Sequence, residues 1–96
     1  MPIEAYVRKM DNQTVYLIGP ELPHGFKLAD PIHPVVVVYG DTVTTEWIST
    51  SDDFWGEAEE AGQIQKNEAI STAGGRQKVE QMFETMKKEW KAITTT

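Results

Sequence analysis

Val35-Val36-Val37-Val38-Tyr39, four consecutive valines closed by a tyrosine, limits the fold more than any other stretch of this chain. β-Branched side chains are stiff and suit a pleated surface, and an unbroken apolar run leaves no polar face for solvent. The run therefore predicts a strand inside a sheet, covered on both faces. Gly40-Asp41 supplies turn chemistry, and Thr42-Val43-Thr44-Thr45-Glu46-Trp47-Ile48 has the threonine and aromatic content of a strand paired with it. A second hairpin is expected upstream, where Ile3-Glu4-Ala5-Tyr6-Val7 alternates in polarity and Asp11-Asn12-Gln13 offers a turn before Thr14-Val15-Tyr16-Leu17-Ile18. Between the hairpins, Pro20, Pro23, Pro31 and Pro34, with Gly19 and Gly25, predict a long ordered loop with room for a short strand at Phe26-Lys27-Leu28.

The pattern changes after Ile48. Ser49-Thr50-Ser51-Asp52-Asp53 carries the hydroxyls and carboxylates that cap a helix start. A helix is expected from there toward Ile70, with Phe54, Ala58, Ala61 and Ile64 or Gln65 on one face, weakened by Gly56 and Gly62. Ser71-Thr72-Ala73-Gly74-Gly75 ends it. From Arg76 to Ile93, residues Val79, Met82, Phe83, Met86, Trp90 and Ile93 recur at helical spacing and predict a second helix with one apolar stripe. The expected fold class is α+β: an antiparallel sheet of about four strands in the N-terminal half, packed by two C-terminal helices. A chain of 96 residues leaves little for a second core, so residues 1–96 read as one domain.

Several chemistries lack their residues. The chain has no cysteine, hence no disulfide, thiolate metal site or cysteine nucleophile. A metal site could be imagined from His24, His33, Asp30 and Asp52 or Asp53, but no ligand pair stands at a fixed helix or strand offset. Ser49, Ser51 and Ser71 stand in no nucleophile-elbow pattern, so neither an enzyme nor a cofactor is expected. Residues 1–5 lack the basic and apolar regions of a leader, and no apolar run is long enough to span a bilayer, which reads as cytoplasmic with no membrane partner.

Net charge is −6, and its distribution is uneven: residues 1–27 balance, residues 28–65 hold eight acids and no base, and residues 66–96 carry a net +2. An acidic field of this kind disfavours direct nucleic-acid binding and attracts basic protein surfaces. Beside it stand three large aromatics, Trp47, Phe54 and Trp55. Two consecutive aromatics on a helix cannot share one core face, so one of Phe54 and Trp55 is expected to point outward or into an interface.

The leading functional expectation is thus a non-enzymatic binding module or inhibitor, engaging a protein with a basic surface through Glu46, Trp47, Asp52, Asp53, Phe54, Trp55, Glu57, Glu59 and Glu60. The alternative is a sponge or sensor for a small anionic nucleotide or metabolite. It would use His24 and His33 in the proline-rich loop, or Gly74, Gly75 and Arg76, where free amides and a guanidinium at a helix start suit an anion. Self-association as a twofold homodimer is also expected, because nine aromatics and a long valine strand exceed what one small core readily encloses. In size, acidity, lack of an active-site signature and threonine tail, the chain resembles in a generic way the small accessory proteins of bacteriophages, including inhibitors of host defence.

Overall fold

In a computed structural model, which describes residues 3–22 and 31–94, the two hairpins join into one antiparallel sheet. Its strands are β1 (Glu4–Arg8), β2 (Asp11–Ile18), β3 (Ile32–Tyr39), β4 (Thr42–Ser49) and β5 (Ala58–Glu60), and its helices α1 (Phe54–Glu57), α2 (Gln63–Thr72) and α3 (Arg76–Thr94). The strand order is β4-β3-β2-β1-β5. The valine run lies inside the sheet between β2 and β4, with Val35 and Val36 fully buried on opposite faces. At the β3–β4 turn Gly40 takes φ +57° while Asp41 keeps a negative φ, the pattern of a II′ hairpin turn with glycine in its first central position.

Strand alternation divides the apolar residues between two cores. Ile3, Ala5, Val7, Val15, Leu17, Val36 and Val38 face α2 and α3 and meet Ala69, Ala73, Val79 and Phe83. Tyr16, Ile18, Val35, Val37 and Ile48 face the other way and are partly roofed by Tyr6, Phe54 and Trp55. The α3 stripe holds as read: Val79, Phe83 and Met86 are buried and Met82 and Trp90 half-buried, while the Ile93 side chain lies outside the described residues.

The expected α+β fold stands: the four strands of the N-terminal half form the antiparallel sheet, packed by the C-terminal helices, and the short β5 extends it. Three local expectations are corrected. The first hairpin turns at Lys9-Met10, and Asp11-Asn12-Gln13 already belongs to β2; there the Asp11 carboxylate accepts from the Gln13 amide (2.9 Å) and the Thr14 hydroxyl (2.6 Å). The proline-rich stretch admits regular structure sooner than expected: Leu22 and Ile32 exchange backbone hydrogen bonds (2.8 and 2.9 Å), and β3 runs through His33 and Pro34. The single helix expected from Asp53 to Ile70 is instead one turn of helix, a three-residue strand and α2. The Asp53 side chain makes no cap bond, Gly56 and Gly62 weaken helical continuity, and the open edge of β1 takes up Ala58-Glu59-Glu60 as its partner. Ile64 and Gln65, the alternatives expected to close the buried face, are both exposed, Ile64 by 74%. The possible strand at Phe26-Lys27-Leu28 lies outside the described residues.

Candidate functional site

The corner after β4 is pinned by short-range hydrogen bonds. Asp52 Oδ2 accepts from the Ser49 amide (3.1 Å), the Asp52 amide donates to the Ser49 carbonyl (3.1 Å), and the Trp55 indole N–H donates to the same carbonyl (2.9 Å). These bonds turn the chain back over the sheet face opposite α3. Phe54 lands edge-on against Tyr16 (centroids 4.7 Å apart) and Trp55 against Tyr6 (5.4 Å) and His33 (5.5 Å). Such edge-to-face contacts suit the ring quadrupoles and order the cluster. Burial, and then the neighbouring Glu4 carboxylate, push the Tyr6 phenol above its ordinary pKa. Of the expectation that Phe54 or Trp55 points outward or into an interface, the outward alternative is corrected. With only one helical turn present, both rings rest half-buried on one sheet face.

What stays accessible is the concavity beside them, about 290 Å³, lined by Arg8, Tyr16, Glu46, Trp47, Ile48, Asp52, Asp53 and Phe54. Of the nine partner-binding candidates named from the sequence, Glu46, Asp52, Asp53 and Phe54 meet here, and Trp47 borders the concavity although its side chain lies on the other face of β4. Tyr16, Ile48 and Phe54 supply apolar walls, while Glu46, Asp52 and Asp53 are exposed. None of these three carboxylates has an ion-pair partner among the described residues. Arg8 sits with its guanidinium 5.8 Å over the Tyr16 ring and 3.8 Å from Glu57, so its charge is already offset. Sequence reasoning missed Arg8, Tyr16 and Ile48. The alternation that places Tyr6 with Arg8, and Tyr16 with Ile18, on one face was the available signal.

The remaining candidates disperse. Glu57, Glu59 and Glu60 lie at the opposite sheet edge, where Glu57 pairs with Arg8 and Glu59 with Lys9 (4.0 Å), so the acidic middle segment forms two regions. The Trp47 side chain shares a face with its partner Pro34, toward α3, and is 36% exposed. His24 lies outside the described residues. His33 bonds through Nδ1 to the Gly19 carbonyl (3.1 Å) and packs on Trp55, an architectural use of the ring.

The Gly74 and Gly75 amides are engaged as well. They donate to the Ser71 (3.0 Å) and Ile70 (2.8 Å) carbonyls, closing α2 with the paired bonds of a Schellman motif, and both glycines have positive φ. Arg76 pairs with Glu80 at 3.4 Å. His33 and the glycine pair lie on opposite faces of the sheet, so no single pocket gathers the anion-binding candidates. Among the described residues no group of three or more His, Cys, Asp or Glu could hold a metal ion, and no helix is long and apolar enough to cross a membrane. No protein-family model, curated protein or solved structure matches the chain.

Proposed function

We propose that this chain is a non-catalytic protein-binding module, acting as an adaptor or inhibitor, whose concavity between β4 and the α1 corner receives a lysine or arginine side chain from a basic partner surface. The observation that carries the reading is the set of unpaired carboxylates, Glu46, Asp52 and Asp53, around apolar and aromatic walls. A cationic head gains from carboxylates and ring faces together, and its aliphatic stem suits Ile48 and Phe54. Arg8 displays the same chemistry within the chain, poised over Tyr16 and held by Glu57. The net charge of −6 adds long-range attraction for a basic partner.

The reading is tested by affinity capture from host extract on the wild type and on Glu46→Gln/Asp53→Asn, which leaves the Asp52 turn bonds intact. Titration of the captured partner at low and high salt follows. A partner lost by the variant, with affinity falling as salt rises, supports the reading. Equal capture by the variant, or affinity indifferent to salt, refutes it.

A further inference from the structure

The direction of each β4 backbone group follows from the hydrogen bonds of β3. Ile32 exchanges bonds with Leu22, and the Pro34 carbonyl accepts from the Gly19 amide (2.8 Å), so Ile32, Pro34, Val36 and Val38 turn their polar groups toward β2. His33, Val35, Val37 and Tyr39 turn theirs toward β4, where their register partners are Ile48, Glu46, Thr44 and Thr42. The alternate residues Val43, Thr45, Trp47 and Ser49 therefore direct N–H and C=O away from the sheet. Ser49 agrees with this, since its amide and carbonyl are taken by Asp52 and Trp55. Val43, Thr45 and Trp47 have no such cover: β4 is an edge strand, and no hydrogen bond to their backbone groups occurs on the outer side among the described residues.

This edge lacks the usual protections. Its register with β3 is unbroken over eight pairs, and residues 42–49 contain no proline, lysine or bulge. At the other end of the sheet, β5 is only three residues long. Alongside β4 runs a groove of about 230 Å³ between Thr45 and the flank of α3, with Lys78 at one end, Met82 and Met86 in the middle and Glu89 at the other end.

From this edge and groove we infer that β4 pairs with β4 of a second copy of the chain, antiparallel about a twofold axis beside Thr45, continuing the sheet across two protomers. In that register Thr45 faces the partner's Thr45 and Val43 faces the partner's Trp47. Each of these pairs exchanges two backbone hydrogen bonds. On the opposite face Glu46 meets the partner's Thr44, so no like charges are directly opposed.

The twofold also reverses α3 against its copy. Lys78 of one groove then faces the partner's Glu89 and Met82 faces the partner's Thr85, so the flank is complementary to itself in charge and roughly in size. Three strand spacings separate the two β3 strands, about 14 Å, a gap that two long side chains can bridge. The inference is independent of the concavity, which opens on the other face of the sheet.

Sedimentation velocity on the full chain at micromolar concentrations tests it, with Lys78→Glu, Glu89→Lys and Thr45→Pro. The wild type should form a closed dimer of the 10.8 kDa chain. Each charge variant should raise the dissociation constant about tenfold, and an equimolar mixture of the two should restore dimers, because their pairs become complementary. Thr45→Pro removes an amide the monomer does not use, so it should abolish the dimer while leaving the melting temperature close to that of the unassociated chain.

A wild type that stays at chain mass, or grows into an open series, overturns the inference. So do charge variants without effect, or a mixture that fails to restore the dimer. Should Thr45→Pro not fold, the charge variants and their mixture decide alone.

Discussion

Replacing Gly19 by alanine would drive a methyl group into the junction where the β2–β3 connection passes under α3. A Cβ at this position meets Phe83 Cγ and Pro34 Cγ at 2.9 Å, closer than packed carbons allow, and Gly19 has no positive φ that would add backbone strain. The cost is thus steric. Phe83 is 2% exposed and Pro34 fully buried, so neither can swing into solvent, and overpacking of this kind costs about 1–3 kcal/mol. In a domain of this size each kcal/mol lowers the melting temperature by roughly 4–8 °C.

The source of the cost can be isolated by a double-mutant cycle. Phe83→Ala removes the obstructing Cγ and Cδ1 while the Pro34 contact persists, so Gly19→Ala should cost less in that background, with a coupling of about 0.5 kcal/mol or more. Chemical denaturation of the four proteins provides the cycle. A neutral Gly19→Ala, or strictly additive costs, would refute this packing of α3 on the sheet.

Three further outcomes follow from the same geometry. Trp55→Phe keeps the ring cluster but leaves the Ser49 carbonyl without its indole donor, and should cost about 0.5–1.5 kcal/mol in thermal or urea unfolding. Gly74→Ala forces a side chain onto φ +104° and should cost about 1–2 kcal/mol, whereas Gly56→Ala, with open space and no positive φ, should be neutral or slightly stabilising; differential scanning calorimetry compares the two. The Thr14 hydroxyl and Gln13 amide hold the Asp11 carboxyl below its ordinary pKa. Its folded value is lower than its unfolded one, so its contribution is complete above the unfolded value near pH 4 and fades as pH falls through the folded value. Asp11→Ala should therefore flatten the acid limb of the stability profile below about pH 4, and an unchanged limb would count against these bonds.

The parts of this fold that local sequence dictates were legible. The valines of β3 and the apolar stripe of α3 declare their periods without help from distant residues. By contrast, Ala58-Glu59-Glu60 has the composition of a helix and becomes β5 because β1 presents an unpaired edge, with Arg8 and Lys9 placed to meet Glu57 and Glu59. That pairing is non-local, and no window of sequence contains it. The Asp11 side chain does make turn-type bonds, yet they cap the start of β2 while the chain reverses two residues earlier. For the site, acids and aromatics were visible as composition. Only the register shows that Glu46, Asp52 and Asp53 share a concavity with Arg8 and Tyr16, and that Glu59 and Glu60 stand at another edge.

The proposed function turns on acceptance of a basic side chain by the concavity beside β4. Its most direct test is an amide chemical-shift titration of the isotope-labelled chain with a short arginine-containing peptide, repeated on Glu46→Gln/Asp53→Asn. Saturable shifts are expected at Arg8, Tyr16, Glu46, Ile48 and residues 52–54, lost in the variant and weakened by salt. Shifts centred instead on Glu59 and Glu60, or unchanged in the variant, would contradict it.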